Sequence, residues 1–264
     1  MTHHDQRTLP IPVPPDASGV TVGGPSPFVT DIRYSLPDGT SVHWEARRHR
    51  KVDARGGRRG MTWWIGLLFV IGSSCFVLGP IPAYVAWVGN TAAAVTFFVG
   101  SLFFTTAAYL SYVQVVRETG HRWFGWAPHH MGFWAASIQL IGTLFFNATT
   151  FRALLDVPAD QVNQVVWRPD AFGSVCFLVA SFIAFAEAGH RWWSWRPAMR
   201  DWHITALNLW GSFFFGVSAV GAYTTTSGTL LSAAWANGGT FLGAVCFLVG
   251  ALLMMPEGRS TAAD

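Results

Sequence analysis

Six apolar runs determine what this chain can fold into. Each run holds about 20 mostly apolar residues, and the first follows a polar N-terminal segment of about 60 residues. As an α-helix, a run of this length crosses a hydrocarbon core of about 30 Å, and a backbone in lipid must find its hydrogen-bond partners within the chain. The sequence therefore predicts an all-α polytopic membrane protein with six transmembrane helices, at residues 62–84, 90–112, 131–151, 170–189, 203–223 and 237–255.

The composition agrees with a membrane protein. Hydrophobic residues make up 51% of the chain and charged residues only 12%. The net charge of +3 comes from basic residues that lie beside the apolar runs, and no nucleic-acid recognition motif accompanies them. The expected partner is the lipid bilayer, and nucleic acid is not expected.

Two segments of different composition precede the first apolar run. Residues 1–27 are rich in proline and glycine and are predicted to be a mostly disordered tail, because they cannot bury enough apolar surface to offset backbone ordering. Residues 28–60 form a cytoplasmic segment, in which the turn sequence at Pro37, Asp38 and Gly39 separates two short apolar stretches and indicates a short β-hairpin.

A basic run lies immediately before the first span. The positive-inside rule therefore places the N-terminus in the cytoplasm, and with six crossings the C-terminus follows it. The same side chains also suit contact with anionic lipid headgroups or with an acidic protein partner, and the sequence leaves both open. The residues are Arg47, Arg48, Arg50, Lys51, Arg55, Arg58 and Arg59.

An internal repeat divides the spans into three helical hairpins. The sequence FGSVCFLVAS at 172–181 returns as LGAVCFLVGA at 242–251, and a glycine followed by Ser or Thr recurs at 72, 142 and 211. The hairpins occupy 61–115, 116–190 and 191–256, the last two with their preceding inner loops, and residues 257–264 form a C-terminal tail.

The two inner loops also repeat each other. ETGHRWFGWAP, from residue 118, returns as EAGHRWWSWRP from residue 187. Each copy pairs a glutamate with an arginine four residues later, and we expect Glu118 and Arg122, and likewise Glu187 and Arg191, to share one face of a helix end.

The combined order of these motifs resembles the YrhK-like family of bacterial integral membrane proteins. The resemblance covers about residues 44 to 255 and rests on WEARRHRK, WWIGLLFVIGSSCF, FFVGSLFFTTAAY, IGTLFFNATTF, VWRPDAFGSVCFLVAS and NLWGSFFFGVSA. It implies a multi-pass protein of the bacterial inner membrane and assigns no activity or site residue.

Polar side chains within the spans are the candidate functional residues. Gln139, Asn147 and Asn208 are amides in predicted helices, and Glu187 lies one turn inside a helix end. An unpaired amide in lipid costs several kcal/mol, so each is predicted either to hydrogen-bond across a helix interface or to line a polar path.

No catalytic, metal or cofactor site is predicted. The histidines match no ligand spacing, the three cysteines have no CxxC partner, and no nucleophile stands with a base. Enzyme activity is not expected. The sequence favours a membrane scaffold or partner-binding module, which could bind another protein or, as a homo-oligomer, a second copy of this chain. The alternative is a small-solute or ion transporter or channel, with the in-membrane amides lining its path.

Overall fold

The N-terminal segment forms a small antiparallel sheet. The computed structural model describes residues 9–52 and 60–260, with side chains at 9–51 and 60–255. The strands are β1 (Ser18–Gly23), β2 (Asp31–Ser35) and β3 (Ser41–Glu45), in the order β1-β2-β3. In the β2–β3 turn, Gly39 has a φ of +84° and Asp38 Oδ1 accepts a hydrogen bond from the Thr40 amide at 2.8 Å, so the predicted hairpin is confirmed.

Strand β1 lies within the tail that was expected to be disordered, and the structure corrects that expectation for residues 18–23. Its main chain pairs with β2, which requires no apolar side chains. The connection turns at Gly24, where φ is +149° and an added Cβ would lie 2.4 Å from the Phe28 carbonyl oxygen. Composition missed the strand because its order comes from backbone pairing. Residues 1–8 of the tail lie outside the described residues.

Strand β3 continues directly into α1 (Ala46–Val52), and seven further helices follow. Six of the helices are long and apolar enough to cross a membrane, which confirms the six predicted spans. The helices are α2 (Met61–Leu78), α3 (Pro82–Val88), α4 (Asn90–Glu118), α5 (Met131–Arg152), α6 (Arg168–Gly189), α7 (Arg200–Gly221) and α8 (Ala233–Ser260), with a π-helical segment, Asn163–Trp167, leading into α6.

The first span is shorter than predicted. Helix α2 ends at Leu78 and α3 begins at Pro82, so the predicted run to residue 84 is divided between two helices. A proline has no backbone N–H and fits the first turn of a helix, which explains a new start at this position.

The six spanning helices form a closed ring. Each contacts its two neighbours, in the order α2, α4, α5, α6, α7, α8, and α8 returns to α2. Every helix contributes one buried phenylalanine to a cluster of aromatic contacts inside the ring, hereafter the Phe layer. Its members are Phe76, Phe104, Phe146, Phe177, Phe215 and Phe247.

Glycines let the two helices of each hairpin approach closely. A Cβ on Gly211 would lie 3.0 Å from the Gly243 carbonyl oxygen and 2.9 Å from the Phe247 ring. The other two hairpins have the corresponding contacts, at Gly72 with Gly100 and at Gly142 with Gly173. Small residues favour helix association in lipid, where apolar burial gives no drive to associate.

The two ends of the ring differ. The sheet, α1 and the loops 119–130 and 190–199 lie at one end, hereafter the sheet end, whereas α3 and the loops 153–162 and 222–232 lie at the opposite end. Large apolar side chains such as Phe172 and Val175, each 59% exposed, cover the outer surface. This distribution suits a lipid environment.

Candidate functional site

A cavity lies inside the ring at the sheet end. It has a volume of about 120 Å³, enough for several water molecules or one small solute. Phe69 and Phe247 contribute to its apolar lining, and Phe247 belongs to the Phe layer. Its polar lining comprises Thr62, Ser111, Gln114, Gln139, Glu187 and Asn208 from the ring, and Arg47, Arg50 and Lys51 from α1.

Gln139 and Asn208 face this cavity from two different hairpins. Each lies three positions before the glycine of its helix contact, Gly142 in α5 and Gly211 in α7, and therefore about one turn closer to the sheet end. Neither side chain makes a hydrogen bond within the part of the chain that the structure describes. Of the two alternatives for these amides, the structure favours the polar lining over the interhelical hydrogen bond.

Asn147 has the other role. Its Nδ2 donates a hydrogen bond to Thr105 Oγ1 at 2.9 Å, which joins α5 to α4. Asn147 does not line the cavity. It therefore makes an interhelical contact, whereas Gln139 and Asn208 line the cavity.

Arg50 and Glu187 form a buried ion pair beside the cavity. Arg50 Nη2 donates to Glu187 Oε2 at 2.5 Å, and the two side chains are 7% and 2% exposed. Gly132, at the start of α5, makes room for the guanidinium, because a Cβ there would lie 2.8 Å from Arg50 Cζ. Burial lowers the pKa of Arg50, but the carboxylates of Glu187, Glu118 and Asp201 together outweigh this effect and the pKa is raised.

Gln114 fixes the backbone of α1 over the cavity. Its Nε2 donates to the Arg50 carbonyl oxygen at 3.2 Å and to Thr62 Oγ1 at 2.8 Å, so one amide from α4 contacts both α1 and α2. Together with the ion pair, this contact holds α1 across the sheet end of the ring.

The ion pair leaves some hydrogen-bonding capacity unused. Arg50 Nη1 and Glu187 Oε1 are buried and have no hydrogen-bond partner among the described residues. A buried polar atom without a partner costs about 1–3 kcal/mol, so a molecule that supplied the missing partners would bind favourably. The lining thus offers an unpaired donor, an unpaired acceptor and two amides.

The predicted pairing of Glu187 with Arg191 on one helix face does not form. Helix α6 ends at Gly189, and His190 follows in the left-handed conformation with a φ of +54°. The chain leaves the helix before it reaches Arg191, so the expected spacing of four residues on one helix face is lost. Glu118 is likewise the last residue of α4, and Arg122 lies beyond its helix.

Three members of the predicted lipid-contacting run are turned inward instead. Arg50 pairs with Glu187, Arg47 Nε lies 3.5 Å from Asp201 Oδ2, and Lys51 Nζ pairs with Asp201 Oδ1. Neighbouring carboxylates hold these three side chains, and their contact with anionic headgroups stays a prediction. Arg48 is exposed, and Arg55, Arg58 and Arg59 lie outside the described residues.

The inward face of α1 was missed although the sequence contains its spacing. Arg50 and Lys51 follow Arg47 by three and four positions, which places both on the same face of a helix as Arg47. As one run, the seven basic residues indicate topology and contact with anionic groups. The spacing of Arg47, Arg50 and Lys51 adds a shared helical face, which meets Glu187 and Asp201.

His190 ties the sheet to the end of α6. Its Nδ1 lies 2.9 Å from Thr30 Oγ1, and both residues are buried. Burial is the main cause of a lowered pKa at His190, although the carboxylates of Asp31 and Glu45 act in the opposite direction. The contact fixes the sheet, and through β3 also α1, against the ring.

Comparisons of the chain with protein-family models, with curated proteins and with solved structures found no match. The six membrane-spanning helices make it a multi-pass membrane protein.

Proposed function

We propose that the protein binds a small polar solute in the cavity at the sheet end of the ring. The observation that carries this proposal is the position of Gln139 and Asn208, which face the cavity with no hydrogen-bond partner among the described residues. Both amides are half-buried, and an amide without a partner in an apolar surrounding costs several kcal/mol. Water or a polar solute removes that cost.

The lining favours a solute that carries both donors and acceptors. Arg50 and Glu187 bring opposite charges to the same wall, and the two amides each offer a donor and an acceptor. A bare ion would use only half of these groups. A zwitterionic or neutral polar molecule of a few non-hydrogen atoms fits both the chemistry and the volume of about 120 Å³.

Helix α1 controls entry in this proposal. It lies across the sheet end of the ring, and its contacts with Glu187, Gln114 and Asp201 must loosen before a solute enters. The Phe layer closes the route towards the opposite end. Transport, the alternative suggested by the sequence, requires the Phe layer to part, so it is a second step beyond binding.

A scaffold role is the second candidate. The tight glycine contacts in all three hairpins and the dry Phe layer favour it, since both stabilise a ring without serving a solute. Under this alternative, the cavity holds only water and the amides have no ligand.

We also propose that the sheet end faces the cytoplasm of a bacterial inner membrane. Arg117, Arg122, Arg191, Arg196 and Arg200 lie at the sheet end together with α1, which supports this orientation through the positive-inside rule. The order of motifs supports membership of the YrhK-like family. Exposed Arg48 remains a proposed contact for anionic headgroups.

A ligand panel tests the proposed function. Thermal unfolding of the purified protein in detergent is followed with amino acids, small amides, monocarboxylates and polyols. At least one class is expected to raise the unfolding temperature, because a ligand that binds only the folded state stabilises it. Replacement of Gln139→Leu or Asn208→Leu is expected to abolish that shift.

Asn147→Leu is the matched control, because it removes an in-membrane amide that lies outside the cavity. Its solute-dependent shift is expected to remain, even if its unfolding temperature without solute is lower. A shift that persists in both Gln139→Leu and Asn208→Leu contradicts binding in the cavity. A panel without any effect on the wild-type protein favours the scaffold.

A further inference from the structure

Two carboxylates and a histidine meet where the sheet contacts the end of α6. Asp31 in β2 and Glu45 in β3 are direct cross-strand partners, so both side chains leave the same face of the sheet. A ligand atom of each carboxylate and of His190 lies within 4.8 Å of the others. Like charges placed directly opposite each other destabilise a strand pair, and a cation among them reverses this effect.

His190 supplies an independent observation that points to a ligand. The residue is 8% exposed, and its Nε2 has no hydrogen-bond partner among the described residues. Its other ring nitrogen, Nδ1, is already held by Thr30 Oγ1 at 2.9 Å. When Nδ1 donates its hydrogen to Thr30 Oγ1, the lone pair lies on Nε2. Metal-binding histidines typically donate the N–H of their other ring nitrogen to an oxygen in this way.

His43 adds a second imidazole at the outer side of the cluster. Its Nε2 lies 2.5 Å from Asp31 Oδ1 and 3.3 Å from Glu45 Oε1. Arg33 contacts Asp31 at 3.4 Å, and no arginine among the described residues forms an ion pair with Glu45. Imidazole nitrogens combined with carboxylate oxygens are the donor set of zinc and related divalent metals.

We propose that Asp31, Glu45 and His190 bind a divalent transition-metal ion, with Zn²⁺ as the best match and His43 beside the two carboxylates. The residues come from two strands and from the residue that ends α6, so the ion joins the sheet to the helix ring. Because Glu45 is the last residue before α1, the ion also fixes the start of that helix. None of its three ligands lines the cavity.

No spacing pattern in the sequence connects these ligands. Asp31 and Glu45 are brought together by the β2–β3 register, and His190 by packing of the sheet on α6. Motifs such as HExxH place their ligands on one element, whereas this cluster depends on three.

The test is zinc binding by the full-length protein, purified without a histidine tag and stripped with a chelator. His3 and His4 are replaced by alanine in every variant, since adjacent histidines bind metal themselves. One Zn²⁺ per chain is expected by elemental analysis. Co²⁺ in its place is expected to give the visible absorption bands of a four-coordinate site.

Variants that keep the shape of each side chain identify the ligands. Asp31→Asn, Glu45→Gln and His190→Asn are each expected to weaken Zn²⁺ binding more than about 100-fold, and Asn also tolerates the left-handed conformation at position 190. Thr30→Val, which removes the partner of Nδ1, is expected to weaken binding about 10- to 100-fold.

His129→Asn is the control, because His129 is an exposed histidine at the same end and lies outside the cluster. Its Zn²⁺ affinity is expected to equal that of the wild-type protein. Circular dichroism of each metal-free variant checks its fold. Unchanged one-to-one binding in folded Glu45→Gln and His190→Asn, or no bound Zn²⁺ in the wild-type protein, overturns the proposal.

Discussion

Arg50 and Glu187 are 137 residues apart in the chain, and their side chains meet at 2.5 Å between Nη2 and Oε2. The pair joins α1, which lies outside the ring, to the end of α6 within it. Both side chains also line the cavity. One contact therefore joins α1 to the ring and contributes part of the cavity's polar surface.

Glu187→Gln is expected to destabilise the protein by about 3 kcal/mol, because it leaves the buried Arg50 guanidinium without its counter-charge. The measurement is chemical unfolding in detergent. Asp156→Asn, which neutralises an exposed carboxylate at the opposite end, is expected to change stability by less than about 0.5 kcal/mol. The double variant Arg50→Met with Glu187→Met is expected to recover most of the loss. Equal stability of Glu187→Gln and the wild type contradicts the role of the pair.

Neighbouring glycines in α8 are expected to respond oppositely to alanine. At Gly239 a Cβ would lie 2.7 Å from the Phe214 carbonyl oxygen and from the Ser218 amide nitrogen of α7, whereas Gly238 has nothing within 4 Å. Gly239→Ala is expected to cost about 1–3 kcal/mol through forced separation of α7 and α8. Gly238→Ala is expected to stabilise by up to about 1 kcal/mol, because alanine favours a helix. Similar unfolding free energies for the two variants would show that the backbones do not approach closely here.

Asn163 is expected to hold the opposite end of the ring together. Its Nδ2 donates to the Thr224 carbonyl oxygen at 2.6 Å, and its Oδ1 accepts from the Thr224 amide at 3.0 Å. Asn163→Ala removes both bonds and is expected to destabilise by about 1–2 kcal/mol. Hydrogen exchange in the loop 222–232 is expected to become faster, while Gln164→Ala, at an exposed position, leaves it unchanged. Unaltered exchange in Asn163→Ala contradicts this link.

Phe177 is expected to be the most sensitive member of the Phe layer. It is 1% exposed, and its ring contacts those of Phe104, Phe146, Phe215 and Phe247. Phe177→Ala is expected to cost about 3–5 kcal/mol, through lost contacts and a new cavity. Phe172→Ala, at a 59% exposed position on the outer surface of α6, is expected to cost much less. Comparable losses in unfolding experiments would contradict a packed interior.

The spanning helices were predictable from sequence because membrane crossing imposes length and hydrophobicity on each segment separately. The glycines at 72, 142 and 211 were likewise identified, since close helix packing in lipid selects small residues locally. The closure of the ring was not predictable, because the contact between α2 and α8 joins the two ends of the membrane domain and has no local pattern.

The candidate site was predicted in part. Gln139 and Asn208 were found because amides are rare in apolar runs, yet the sequence did not decide between a helix contact and a cavity. Their actual orientation depends on the rotation of α5 and α7 within the ring. The contribution of α1 to the site was not predicted, because Arg50 meets Glu187 only through the packing of the sheet on α6.

Thiol accessibility at position 208 tests the central claim, a polar cavity entered from the sheet end, most directly. Asn208→Cys is placed in a background with Cys75, Cys176 and Cys246 replaced by alanine, and a small charged thiol reagent is added to one side of sealed vesicles at a time. Thr143→Cys is the control, because Thr143 is fully buried at the glycine contact of α5.

The expected result is modification of Asn208→Cys only when the reagent is at the sheet end, with Thr143→Cys unmodified from either side. No modification of Asn208→Cys from the sheet end would show that the cavity is closed to solutes. Equal modification from both ends would show a continuous path through the Phe layer. Either outcome would contradict the account.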